Sequence, residues 1–161
     1  MKKLLLFALC VASLSACKKD SENTPSKMDL ITAKNWRVTA ATTTTTVTTT
    51  GSSPTVTTTN DYAQYDPCEK DNFYKFNTNK TLIFDEGPTK CNPSSPQTST
   101  ITWDFNGDQT KLITGTASSS SSSSDDILEL SATTLRLRTM DSYTSGSTTS
   151  SSVGTVTFTA F

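Results

Sequence analysis

Histidine is absent from the 161-residue chain. Its absence excludes His-ligated zinc and haem, the Ser-His and Cys-His nucleophile systems, and the most common general base near neutral pH. Charge is sparse: 18% of residues are charged and the formal net charge is −1, so no basic field exists to attract nucleic acid. Hydrophobic residues reach 33%, below the roughly 45–50% of ordinary globular chains on a scale that also counts glycine. The G-x-S-x-G, G-x-G-x-x-G and P-loop patterns are missing. With no nucleophile beside a visible base, an enzyme is not expected, and neither a metal nor an organic cofactor is called for.

Hydroxyl fills the gap. Thr occurs 33 times and Ser 23 times, making 56 of 161 positions. Thr is β-branched and suits a pleated, half-wet surface, so the composition favours strands over helices. The length allows one domain.

The first twenty residues carry an address. Lys2 and Lys3 precede a short apolar stretch, Leu4 to Leu14, and then Ser15-Ala16-Cys17. A run this short reads as a signal-peptide core rather than a membrane span. The Leu14-Ser15-Ala16-Cys17 ending resembles the lipobox of bacterial lipoproteins. That resemblance implies a diacylglyceryl group on Cys17 and cleavage before it. Residues 1–16 would then be removed, leaving 161 − 16 = 145 residues with net charge −1 − 2 = −3. Lys18 stands where an Asp would resemble an inner-membrane retention signal, so the expected destination is the outer membrane. Residues 17–27 are polar and aperiodic and read as a tether. The membrane is thus an expected partner, through lipid on Cys17.

With Cys10 in the signal and Cys17 acylated, Cys68 and Cys91 remain. Two leftover thiols in an exported protein are expected to pair. A redox pair or metal site is the rival, without CxxC spacing to support it.

Residues 28–161 form the expected domain. Lys27 to Lys34 can form one or two helical turns, with Met28, Leu30 and Ile31 available for burial. From Trp36 the pattern has period two, with Trp36, Val38 and Ala40 on one face. Thr46–Thr50 and Thr55–Thr59 are identical in sequence around Gly51-Ser52-Ser53-Pro54. This reads as a hairpin with a four-residue turn, or alternatively as a disordered or glycosylated block. Val47 has the opposite parity to Trp36, so either a bulge intervenes or the hairpin projects beyond the core. Further on, Tyr74 and Phe76, Leu82 and Phe84, Ile101 with Trp103 and Phe105, Leu135 and Leu137, and Val156 with Phe158 and Ala160 each share a face. Asn77–Lys80 and Asn106-Gly107-Asp108 supply turns, Lys111–Thr116 a strand, Ser118–Ser124 a flexible loop, and the region around Gly146 a polar loop. The sum is an all-β antiparallel meander of eight or nine strands, preceded by a short helical turn and best closed into a barrel.

The order Trp36, Cys68-Glu-Lys-Asp-Asn-Phe-Tyr-Lys-Phe76, Gly87 to Cys91, Ile101-Thr-Trp-Asp-Phe105 and Ile127-Leu-Glu-Leu-Ser-Ala-Thr-Thr-Leu-Arg-Leu137 resembles the lipocalin-like domain of Bacteroidetes lipoproteins. The likeness covers most of residues 30–161. It implies a small antiparallel β-barrel on a lipid anchor. Larger lipocalins carry Gly-x-Trp near the first strand; Lys34-Asn35-Trp36 lacks the glycine, which weakens transfer of true lipocalin ligand chemistry.

Within such a barrel, Trp36, Tyr74, Phe76, Phe84, Trp103 and Phe158 either line a cavity for a small apolar ligand or fill a solid core. Asp66, Glu69 and Asp71, or Asp125 and Asp126, could hold a divalent ion, but solvated loop acids are the plainer reading. Asp104 to Asp108 fails the EF-hand order and reads as a tight turn. Two functions follow: an envelope module binding a small apolar ligand, or a structural or interaction lipoprotein whose Thr/Ser-rich loops meet a protein partner.

Overall fold

The computed structural model describes residues 24–115 and 122–161. The expected signal 1–16, Cys17 and the tether up to residue 23 lie outside the described residues, as do residues 116–121. The described strands are β1 (Asn35–Thr49), β2 (Thr55–Asn60), β3 (Phe73–Phe76), β4 (Thr81–Asp85), β5 (Thr98–Phe105), β6 (Lys111–Gly115), β7 (Ser122–Leu130), β8 (Thr134–Ser145) and β9 (Thr148–Ala160). All pairings are antiparallel, in the order β2-β1-β3-β4-β5-β6-β7-β8-β9, and β1 also pairs with β9. That last pairing closes eight strands into a barrel. β2 stays outside it, on the same edge of β1 that β3 occupies lower down.

Helix α1 (Lys27–Thr32) plugs the lower end. Ser26 and Asp29 form a reciprocal capping box, the Asp29 amide donating to Ser26 Oγ at 3.1 Å and the Ser26 amide to Asp29 Oδ2 at 3.0 Å. The cap starts the helix at a point that carries Ile31, fully buried, into the barrel base. The Trp36 indole N–H donates to the Ile31 carbonyl at 2.8 Å, tying plug to wall. Around them pack Phe76, Leu82, Trp103, Leu112, Leu135 and Leu137. The Phe76 and Trp103 rings meet edge-on at 5.2 Å, as do Trp103 and Phe105 at 5.4 Å. This lower layer is densely packed, and Phe76, Leu82, Leu112 and Leu137 also form the floor of the space above it.

The period-two reading fails at one point in β1. The register with β9 shifts between Val38 and Ala40, so two residues oppose one across the ladder. After this bulge the buried residue is Ala41, and Ala40, expected inside, is exposed. The bulge explains the parity of Val47. The projection is also real: β1 and β9 remain paired to Thr49↔Thr148, and β8 and β9 to Ser145↔Thr148. With β2 they form a four-stranded sheet extending past the barrel. Hydroxyl pairs knit it, including Thr44 with Thr58 at 3.0 Å and Thr144 with Thr149 at 3.0 Å. Cross-strand pairs of this kind contribute about 0.2–1 kcal/mol each.

Three further expectations are corrected. The repeat does not pair around a four-residue turn; the register is Thr46↔Val56 and Val47↔Thr55, because Thr48 and Thr49 continue along β9 instead. The serine run is not wholly loop: Ser122–Ser124 belong to β7 and pair with Ile113–Gly115. The region around Gly146 is a tight turn at φ +59°, and the polar residues flanking it are strand.

Candidate ligand-binding cavity

Above the solid layer the barrel opens. Two adjoining hollows share Tyr74. One, about 200 Å³, is lined by apolar side chains including Ile101, Leu137 and Phe158, together with Thr114 and Asp125. The other, about 210 Å³, lies between Val38, Tyr65, Glu69, Asn72, Tyr74 and Phe84. Tyr74 packs against Phe84 at 5.3 Å and meets Phe158 edge-on at 5.4 Å. Burial pushes the Tyr74 phenol above its usual range, with a smaller contribution from Tyr65.

The six aromatic candidates therefore divide by height. Trp36, Phe76 and Trp103 lie in the packed base, whereas Tyr74, Phe84 and Phe158 are half-buried and face the open upper half. Phe76 also reaches the floor of the apolar hollow.

Cys68 and Cys91 form a disulfide with Cα atoms 5.2 Å apart. The bridge ties the loop after β4 to helix α2 (Pro67–Lys70), whose Glu69 lines the rim. Gly87 lets this loop pass close beneath Asp71. Its φ is +66°, and a Cβ there would lie 2.4 Å from the Asp71 carbonyl oxygen. The acids around Cys68 have structural work: Asp66 and Glu69 cap α2, and Asp71 Oδ2 accepts from the Thr89 amide at 3.0 Å. Among the described residues no group of three or more Cys, Asp or Glu side chains is placed to hold a metal ion. Asp104 lies at the end of β5 and the turn follows at Gly107-Asp108, with Asn106 Oδ1 accepting from the Lys111 amide at 2.7 Å.

Asp125 and Asp126 do not sit in a loop. They are consecutive residues of β7, opposite Leu112 and Lys111 respectively, so pleating sends them to opposite faces. Asp126 points outward, bonded to Lys111 and to Arg138, whose Nη2 is 2.7 Å away. These hydrogen bonds hold its carboxyl below the ordinary Asp range. Asp125 points into the barrel, where its two oxygens accept from Thr139 Oγ1 at 2.6 Å and Ser123 Oγ at 2.9 Å. Sequence reasoning named Asp125 but missed its direction. Counting back by two from Ile127, which pairs with inward Leu137, gives it. Tyr65, Asn72 and Thr139 carried no sequence signal, because loop contacts and polar strands leave none.

Residues 32–137 match the family described as the lipocalin-like domain. The chain belongs to that family. A comparison with curated proteins finds no match. The matched part of the lipocalin-like domain runs from the end of α1 to Leu137 in β8. The projecting end of β8 and the whole of β9, which closes the barrel, lie beyond it.

Proposed function

We propose that this lipocalin-like domain is a non-catalytic binding module, anchored to the outer membrane through lipid on Cys17, that holds a small apolar ligand in the cell envelope. The observation that carries this reading is the change in packing with height. A core built only for stability would fill both halves, yet three half-buried aromatics turn toward open space above a dense base. The lipobox resemblance supports the anchor.

A second reading is favoured by the projecting sheet, whose outer face exposes Val56, Met140 and Val153. That face suits contact with a protein partner and leaves the cavity unused. Native mass spectrometry on protein purified without organic solvent separates the two readings. A co-purified small molecule, lost when Phe158 is enlarged to Trp, supports the carrier. A clean apo mass, together with failure to take up any apolar fluorophore, refutes it.

A further inference from the structure

Consecutive carboxylates of β7 receive opposite treatment. Asp126 faces outward to two cations, whereas Asp125 faces the apolar hollow, and among the described residues no Lys or Arg nitrogen forms an ion pair with it. Among the described residues its side-chain partners are the Thr139 and Ser123 hydroxyls, which neutralise none of its charge. Its charge is left for something that enters the cavity. Among the described residues the titratable groups on the walls are Asp125 and Tyr74 in this hollow and Glu69 with Tyr65 in its neighbour, and none of these contributes a positive charge. The Tyr74 and Phe158 rings add π-faces, which attract cations as well as apolar groups.

Size narrows the class. A dry apolar cavity of about 150 Å³ holds one benzene. The hollow of about 200 Å³ therefore accommodates one ring and a short substituent. Resting on the carrier reading above, we propose that the domain selects a small amine, with an apolar body of about one ring in the hollow and a single ammonium on Asp125. Thr139 and Ser123 hold the carboxylate in place and, being donors to it, leave its remaining lone pairs for the ammonium N–H groups.

The test is calorimetric titration of the purified full chain with three probes of similar shape: phenethylamine, phenethyl alcohol and hydrocinnamate. Charge-assisted hydrogen bonds predict that the amine binds at least about tenfold tighter than the alcohol. Hydrocinnamate, repelled by Asp125 and Glu69, gives no saturable heat. Asp125→Asn brings the amine to the level of the alcohol and leaves the alcohol unchanged. If that variant fails to give a native near-UV circular dichroism spectrum, Asp125→Ser serves in its place. Equal binding of amine and alcohol by the wild type, or an amine preference that survives in the variant, overturns the amine assignment while leaving the cavity intact. Absence of binding by all three overturns the amine assignment, while the carrier reading is decided separately by the apo mass and fluorophore uptake above.

Discussion

Truncating one aromatic in the base and one at the mouth measures how the interior is divided. Trp103 is 2% exposed, with its ring against Phe76 and Phe105 and its indole N–H donating to the Asn77 carbonyl at 3.2 Å. Trp103→Ala leaves an enclosed void and strips a donor from the turn that joins β3 to β4. Such truncations cost about 3–5 kcal/mol, a large fraction of the roughly 5–15 kcal/mol that holds a domain folded. Phe84 lines an opening that already exists, so Phe84→Ala widens space that water can enter. Only the transfer term is lost there, and half-burial puts it near 1–1.5 kcal/mol, about half the value for fully burying a phenylalanine. Urea denaturation followed by far-UV circular dichroism reads both without relying on tryptophan fluorescence. The two variants should differ by about 1.5 kcal/mol or more. If Phe84→Ala costs as much as Trp103→Ala, the upper half is packed core and the argument for a cavity fails.

Other perturbations test the remaining features. Cys68→Ala, Cys91→Ala and the double variant should each lose roughly 3 kcal/mol by the chain-entropy model, since all three open one loop between residues 23 positions apart. Clearly additive single losses in thermal melts would show that each cysteine acts separately. Cys17→Ser should release the protein from the membrane fraction in cells; a processed variant that still sediments with membranes in high salt would remove the lipid from the account. Asp126 has a lowered folded-state value, caused by its hydrogen bonds to Lys111 and Arg138, so its contribution is complete above the unfolded Asp value of about 3.9 and disappears as pH falls through the folded one. Stability titrations from neutral pH downward should therefore show a steeper acid loss for wild type than for Asp126→Asn, and identical slopes would contradict the pairing.

Strands with an apolar and a polar face were readable in advance. Ile101, Trp103 and Phe105 announce theirs by alternation, and so do Tyr74 with Phe76 and Leu135 with Leu137. The bulge at Thr39–Ala40 was visible only as a conflict, because the alternation resumed at Val47 with the wrong parity. Ser122–Ser124 and the polar ends of β8 and β9 gave no periodic signal, since both of their faces are wet and hydroxyl-lined. Their conformation is imposed by the neighbouring strand: β9 supplies partners to β1 and β8 along their projecting lengths. The same blindness hid half the site. Aromatic wall residues stood out in the sequence, whereas the inward direction of Asp125 depended on continuing β7 back through serines that looked like loop.

The β1–β9 closure also sets an order of events. Trp36 pairs with Ala160, and 160 − 36 = 124 residues separate them. The ladders from β3 to β8 join strands adjacent in sequence and can assemble while β1 has no partner on its far edge. Contacts of long sequence separation pay their loop entropy before they are rewarded, which slows the step that forms them. Barrel closure is therefore expected to be the late, slow event. Until β9 is in place, β1 presents a bare run of Thr42 to Thr46 and Val47, and β2 can cover only its other edge. The hairpin outside the barrel thus acts as an early companion to the strand that waits longest, halving the edge open to wrong pairing while the chain folds.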